Sequence, residues 1–286
     1  MAVEACMERL FDILKTLAPN GRLGIAFSGG LDSRFLAHAA ARADLEPLLL
    51  HASGPHIAPS ESSWAAAWAM RRNARFEKIE VNPLIQPGVA DNGLERCYHC
   101  KRFLFEHLLH RLRDYDQGTS CALCDGSNLS DHAVYRPGLW AIRELGIHSP
   151  LAEAGFDKNS IRAAARLSGM DDPDQQARPC MLTRLAYGLR PTPQLLERLA
   201  AAEEAIAHVL LGASENAKPA PDFRLRMPAE GHTLLHVTTD LDPAVRTLLT
   251  AAVTAADLPE PAIQTVTDLS GYFDRVQEQA PLPPMR

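Results

Sequence analysis

The first 150 residues alternate short apolar runs with stretches of helical periodicity. Four short runs are predicted as strands: LGIAF at 23–27, PLLLHA at 47–52, RFEKIEV at 75–81, and CALCDG at 121–126, which includes the exit turn of its strand. Helices are predicted between them at 33–43, 60–72 and 97–114, and an amphipathic helix over the first 17 residues. Strands separated by helices of this length form βαβ units. The fold class is therefore predicted as α/β, with a parallel sheet flanked by helices.

The pattern changes near residue 190, where the segment RPTPQ interrupts the helical periodicity. Beyond it we predict a helix at 194–211, strands at 223–227, 232–240 and 262–268, and a helix at 243–256 before the last strand. We therefore expect an α/β domain over residues 1–189 and a smaller C-terminal α+β domain over 190–286. The segment 212–222 is predicted as a flexible loop and the PLPPMR tail as disordered.

Composition narrows the functional classes. The chain has 286 residues, of which 46% are hydrophobic, and a net charge of −6, which disfavours a nucleic-acid partner. No run approaches the roughly 18 consecutive apolar residues of a membrane span. The first 17 residues include three acids and do not resemble a signal peptide. We therefore expect a cytoplasmic protein with reduced cysteines and without a membrane partner.

The segment LGIAFSGGLDS at 23–33 is a candidate phosphate-binding loop. A strand leads into two glycines, and a helix begins immediately afterwards. Glycines let the backbone approach phosphates, and a helix N-terminus offers N–H donors and a positive dipole end. The candidate ATP-binding residues are Ser28, Gly29, Gly30, Asp32 and Ser33, with Asp32 also a candidate partner of Mg²⁺. The alternative is a tight turn that leads into an N-capped helix.

Two CxxC pairs, Cys97 with Cys100 and Cys121 with Cys124, follow one another along the chain. On spacing alone, two such pairs are typical of a structural zinc site. Cys121 and Cys124, however, fall in the fourth predicted strand, where residues i and i+3 point to opposite faces. We therefore favour small core residues for this second pair.

The loop S-G-G-x-D-S resembles the PP-loop of the ATP pyrophosphatase superfamily, which implies a HUP-like fold. Five further segments resemble the LarE family of that superfamily: RCYHCK at 96–101, DGSN at 125–128, YRPG at 135–138, SPLAEAGFDKNSIR at 149–162 and CMLTR at 180–184. LarE enzymes adenylylate a carboxylate of a pyridinium dicarboxylate mononucleotide, release pyrophosphate and AMP, and form a thiocarboxylate. This sulfur transfer is a step of nickel-pincer cofactor biosynthesis.

The resemblance also implies roles for individual residues. Gly126 lies near the nucleotide, and Cys180 is the sulfur-bearing cysteine. Lys101 and Arg184 join Cys180 as catalytic residues, and Thr183, Arg224 and Arg226 bind a small nucleotide-like substrate. Fixed cations suit a substrate that carries phosphate and carboxylate groups. A homo-oligomer is expected by analogy with the family.

The family obtains its sulfur in two ways. In one branch the single cysteine, here Cys180, gives up its own sulfur. In the other branch three cysteines hold a [4Fe–4S] cluster whose free iron carries an extra sulfide. The chain has all three, Cys97, Cys100 and Cys180, so we favour the cluster. The alternative is that Cys97 and Cys100 pack the start of a helix and that Cys180 alone reacts.

Other functions stay open at this stage. The segment CMLTR departs from the family's CLSSR, with Leu182 in place of a serine, which leaves room for a different acceptor. The alternatives are an amide-forming or tRNA-modifying PP-loop enzyme, and a zinc-stabilised ATP-binding protein without catalysis. Among the remaining residues, Trp64 and Trp68 are predicted to form a core face. Glu203 and Glu204 are predicted to be surface charges of an amphipathic helix, although the family does use an acid nearby.

Overall fold

The computed structural model describes residues 2–116, 121–132, 137–213 and 220–279. It comprises two compact units, one of residues 1–90 and 94–178 and the other of residues 91–93 and 179–286. The predicted disordered tail and residues 214–219 of the predicted flexible loop lie outside the described residues.

The first unit contains a parallel sheet of four strands. They are β1 (Arg22–Ala26), β2 (Glu46–Ser53), β3 (Arg75–Glu80) and β4 (Leu123–Cys124). The spatial order is β3-β2-β1-β4, and every neighbouring pair is parallel. The predicted parallel sheet is therefore confirmed. The fourth strand is short, since only two residues pair with β1 before the chain reaches the exit turn that was predicted within 121–126.

Nine helices are described around this sheet. They are α1 (Ala2–Leu17), α2 (Leu31–Arg42), α3 (Pro59–Arg71), α4 (Pro87–Ala90), α5 (Arg96–Asp116), α6 (Leu129–His132), α7 (Gly138–Glu144), α8 (Pro150–Glu153) and α9 (Lys158–Leu167), with a 3₁₀ turn at Pro83–Ile85. The helices predicted over 1–17, 33–43, 60–72 and 97–114 are all present, with shifts of one or two residues at most ends.

Two apolar clusters cover the sheet. One contains Leu10 and Leu14 of α1 together with Trp68, which is 1% exposed as predicted for the core. The other contains Leu112 of α5 and residues of α7. Gly24 of β1 lets α5 approach closely, because a Cβ there would lie 2.8 Å from a methyl group of Leu112.

The second unit is a small mixed α+β structure. Its strands are β5 (Phe223–Ala229), β6 (His232–Val237) and β7 (Pro261–Thr265), and its helices are α10 (Pro193–Ala213), α11 (Pro243–Ala255) and α12 (Tyr272–Gln279), with a 3₁₀ turn at Met181–Arg184. β5 pairs antiparallel with β6, and β6 pairs parallel with β7 through α11. The predicted C-terminal strands and helices are confirmed. No helix among the described residues is long and apolar enough to cross a membrane.

Candidate functional site

The predicted phosphate loop connects β1 to α2. Gly29 has a φ of +77°, and a Cβ there would lie 2.8 Å from the Cβ of Ala65, so only glycine fits. Gly30 is the N-cap of α2 and adopts an extended conformation. Because glycine has no side chain to cap the helix, the N–H groups of the first turn of α2 remain available to an anion.

Two hydroxyl groups lie beside these N–H groups. The Oγ atoms of Ser28 and Ser33 are 3.1 Å apart, and the N–H of Gly30 donates to Ser28 Oγ at 3.3 Å. Ser33 Oγ also donates to the carbonyl of Gly30 at 3.1 Å. The loop is therefore held in shape by its own side chains at the carboxyl end of β1. A helix N-terminus without a side-chain cap is a geometry that can accept an anion.

The turn after β4 packs against the start of α2. A Cβ on Gly126 would lie 3.0 Å from the backbone nitrogen of Ser33, so the close approach requires glycine. The buried carboxylate of Asp125 fixes this turn, since it accepts hydrogen bonds from Ser127 Oγ at 2.5 Å and from Ser149 Oγ at 2.7 Å. The predicted nucleotide residues of the first unit are thus brought together around one helix N-terminus.

Asp32, in the first turn of α2, has a cationic partner that the sequence analysis did not single out. Lys158 Nζ lies 2.9 Å from Oδ2 and 3.2 Å from Oδ1 of Asp32, and Asn128 Nδ2 donates to Oδ2 at 3.4 Å. Burial raises the pKa of Asp32, and the charge of Lys158 acts in the opposite direction. The motif 149–162 contains Lys158, but spacing alone does not reveal a partner 126 positions away.

The remaining predicted residues of the first unit lie on α5. The stem of Lys101 crosses Gly138, where a Cβ would lie 2.7 Å from Lys101 Cδ. Cys97 is exposed and Cys100 is buried, one helical turn apart. Lys101 and the first cysteine pair therefore share one end of one helix.

The second cysteine pair occupies the apolar interior. Cys124 is fully buried, and that burial raises the pKa of its thiol, so a thiolate is disfavoured there. Cys121 is half-buried beside the same sheet. The predicted core position of Cys124 is confirmed. Among the described residues, no group of three or more His, Cys, Asp or Glu side chains is arranged to hold a metal ion.

In the second unit, Arg184 forms a buried, bidentate ion pair with Glu203 of α10. Arg184 Nε and Nη2 lie 2.8 Å from the two carboxylate oxygens, and the side chains are only 5% and 15% exposed. Glu203 also accepts the backbone N–H of Leu225 in β5 at 3.1 Å. The prediction that Glu203 is a surface charge is therefore wrong, whereas its neighbour Glu204 is exposed as predicted.

Cys180 and Thr183 belong to the same corner. Cys180 precedes the 3₁₀ turn and is partly exposed, and its carbonyl accepts a hydrogen bond from Thr183 Oγ1 at 2.8 Å. Arg184 Nη1 in turn donates to Thr183 Oγ1 at 2.9 Å. The threonine hydroxyl is thus occupied in holding the turn that presents Cys180.

Two further arginines on β5 add positive charge. Arg224 donates to Asp222 Oδ1 at 3.1 Å, and Arg226 lies 2.9 Å from His236 Nδ1 and over the ring of Tyr272. Burial, reinforced by the charges of Arg184 and Arg224, lowers the pKa of Arg226 to about 10. It remains protonated at neutral pH. The charges of these three arginines therefore influence one another within the second unit.

The predicted site residues fall into two sets. The first unit brings the phosphate loop and Gly126 together and carries Lys101, Cys97 and Cys100 on α5. The second unit brings Cys180, Thr183 and Arg184 together and carries Arg224 and Arg226 on β5. The three cysteines of the predicted cluster are thus divided between the units, and the cluster stays a prediction.

Part of the chain is similar in sequence to known proteins. The chain is similar to a pyridinium-3,5-bisthiocarboxylic acid mononucleotide synthase. That protein, from Lactiplantibacillus plantarum, is 28% identical over 188 residues, 64% of this chain and 66% of the synthase. This supports the resemblance to LarE proteins at a distant level.

Two uncharacterized proteins are also similar. One from Synechocystis is 34% identical over 185 residues, 63% of this chain and 66% of that protein. One from Methanocaldococcus jannaschii is 29% identical over 205 residues, 72% of this chain and 77% of that protein. The similarity to the Synechocystis protein and to the synthase thus spans just under two thirds of their lengths. No family model matches the chain.

Proposed function

We propose that the protein uses ATP to adenylylate a carboxylate of a small, nucleotide-like molecule and converts that carboxylate into a thiocarboxylate. The observation that carries this proposal is the phosphate loop at the N-terminus of α2, in a chain 28% identical to a bisthiocarboxylate mononucleotide synthase. The acceptor would be a pyridinium dicarboxylate mononucleotide or a close relative of it.

The phosphate loop supports the first half of the reaction. A carboxylate is a poor electrophile, and transfer of AMP gives it a good leaving group. Pyrophosphate departs in that step with a large negative charge. The backbone donors of Gly30 and the first turn of α2, with the hydroxyls of Ser28 and Ser33, would hold that charge in place, so catalysis here consists of positioning and electrostatic stabilisation. Asp32 would be a ligand of the Mg²⁺ that accompanies the phosphates.

The arginines of the second unit support the acceptor half. Arg184 pairs with Glu203, Arg224 pairs with Asp222, and the charges of both arginines contribute to lowering the pKa of Arg226. A cluster of partly buried arginines suits a ligand with phosphate and carboxylate groups. Glu203 holds the guanidinium group of Arg184 in a fixed orientation, so one face of that group is already oriented before the acceptor binds. Lys101 would contribute a further charge from α5.

Cys180 is the proposed sulfur-bearing residue. It lies partly exposed at the start of a turn fixed by Thr183 and Arg184, which suits a nucleophile presented to an acyl adenylate. A [4Fe–4S] cluster held by Cys97, Cys100 and Cys180 would supply sulfide instead of the cysteine's own sulfur. The first two of these are one turn apart on α5, a spacing at which two thiols on one helix can share a cluster.

Two measurements test this proposal. The full chain, incubated with ATP, Mg²⁺ and a pyridinium dicarboxylate mononucleotide, should give AMP, pyrophosphate and a product about 16 mass units heavier, since sulfur replaces oxygen. Cys180→Ala should still release pyrophosphate but form no thiocarboxylate. Thiocarboxylate formation by Cys180→Ala at the wild-type rate would contradict the role of this cysteine.

Metal analysis of protein purified without oxygen distinguishes the sulfur sources. A cluster predicts iron and acid-labile sulfide at about four each per chain, both lost in Cys180→Ala. Protein without iron that still forms one thiocarboxylate per chain would favour sacrifice of the Cys180 sulfur. Zinc at about one per chain, unchanged in the variant, would move the paired cysteines to a structural role.

A further inference from the structure

Lys158 is the first residue of α9, and its ammonium group lies on the carboxylate of the phosphate loop. The Nζ atom is 2.9 Å from Oδ2 and 3.2 Å from Oδ1 of Asp32, so both oxygens face the same cation. The two side chains are 34% and 21% exposed. The pair lies within one turn of the N–H groups proposed to hold pyrophosphate.

The backbone of Lys158 is fixed in place. Asp157 caps α9, with its side chain accepting the N–H of Ser160 at 2.7 Å while Ser160 Oγ accepts the N–H of Asp157 at 2.9 Å. The N–H of Lys158 donates to Ser130 Oγ at 3.2 Å, in the segment that follows Gly126. The flexible part of the residue is therefore its side chain alone.

Stability does not account for this arrangement. A lysine in the first turn of a helix opposes the helix dipole, so Lys158 weakens its own helix. A partly exposed ion pair adds little to folding. The cation is better explained by its stabilisation of the negative charge of Asp32. That carboxylate is partly buried, and a second carboxylate, Asp131, is close enough to repel it.

We propose that Lys158 is a positioning residue that neutralises Asp32 in the nucleotide-free protein and passes its ammonium to pyrophosphate oxygens when a divalent cation replaces it on Asp32. The inference rests on the proposed ATP site but not on the identity of the acceptor. In this arrangement Lys158 competes with the metal and assists the phosphates, so its removal should change the two affinities in opposite directions.

The experiment uses the full chain and two probes. Binding of Mn²⁺ alone is measured from the electron paramagnetic resonance signal of the unbound ion. Binding of pyrophosphate is measured by calorimetry at saturating Mg²⁺, because Lys158 is proposed to leave Asp32 only when a divalent cation has replaced it. Lys158→Met should bind Mn²⁺ about tenfold more tightly and pyrophosphate about tenfold more weakly than the wild type, as expected for one charge-assisted contact. Arg162→Met is the matched control, because Arg162 is one turn further along α9 and influences Asp32 only at a distance.

Several outcomes would overturn the proposal. The proposal would be wrong if wild type and Lys158→Met had equal dissociation constants for Mn²⁺ and for pyrophosphate, or if both constants shifted in the same direction. Lys158 would then only form a structural ion pair with Asp32. Equal shifts in Arg162→Met would show a general charge effect. If Lys158→Met does not fold, Lys158→Gln should show the same opposed shifts and Lys158→Arg should keep both constants near those of the wild type.

The same measurements separate this proposal from the proposed function. Failure of the wild type to bind pyrophosphate would overturn both. Opposed shifts in Lys158→Met with no acceptor-dependent release of AMP by the wild type would support the role of Lys158 and refute the sulfur transfer.

Discussion

Replacement of Glu203 tests whether the ion pair between Glu203 and Arg184 stabilises the second unit. In Glu203→Ala, Arg184 keeps its charge at 5% exposure but loses both hydrogen bonds to the carboxylate, and the N–H of Leu225 loses its acceptor. Removal of one partner of a buried ion pair costs about 3–5 kcal/mol. We therefore expect the free energy of unfolding to fall by about 3 kcal/mol or more.

Two variants calibrate this value. Glu203→Gln keeps the shape and one oxygen acceptor, so we expect a loss of about 1.5–3 kcal/mol, the range for hydrogen bonds to charged groups. Glu204→Ala removes the exposed neighbouring charge and should change stability by less than about 0.5 kcal/mol. The assay is urea unfolding followed by circular dichroism, with the slope of each transition compared between variants. A Glu203→Ala protein as stable as Glu204→Ala would refute the buried ion pair.

Three further predictions concern the first unit. Gly126→Ala should weaken ATP binding at least about tenfold in calorimetry, because the new Cβ would lie 3.0 Å from the nitrogen of Ser33; unchanged affinity would mean that the loop adjusts freely. Burial lowers the pKa of His56 to about 4, whereas the value in the unfolded chain is about 6.5. The contribution of neutral His56 to the free energy of unfolding is therefore fully present above about pH 6.5, and it falls by about 3 kcal/mol as the pH drops to about 4. A His56→Asn variant should lose most of that pH dependence in urea unfolding, and an identical profile would contradict the assignment. In maleimide labelling read by peptide mass, exposed Cys97 should react while fully buried Cys124 stays unmodified in the folded protein.

The sequence predicted the sheet because the signal for a parallel sheet is local. β1 and β2 contain short apolar runs that precede a helix, so their positions can be predicted without knowledge of their neighbours. The same holds for the loop at Ser28–Ser33, where glycines, hydroxyls and a helix start lie within six residues. The turn after the fourth strand was also expected from the sequence, and the structure shows what holds it: the Asp125 carboxylate accepts hydrogen bonds from Ser127 and Ser149.

The wrong and the missing predictions concern residues whose partners are distant in the sequence. Glu203 and Glu204 look alike on an amphipathic helix, and only the fold brings one of them to Arg184 and to the backbone of Leu225. Lys158 lies at a helix start, where a lysine has no local advantage, and its partner is 126 residues away. Local patterns therefore located the candidate phosphate loop, whereas the ion pairs of Lys158 and Glu203 depended on tertiary structure.

The central claim is that the chain activates a carboxylate with ATP, and pyrophosphate exchange tests it most directly. The full chain is incubated with ATP, Mg²⁺ and labelled pyrophosphate, with and without a pyridinium dicarboxylate mononucleotide. We expect the label to appear in ATP only when the acceptor is present. The exchange should be undiminished in Cys180→Ala, because adenylylation precedes sulfur transfer. No exchange with the acceptor present, from folded protein that binds ATP, would contradict it.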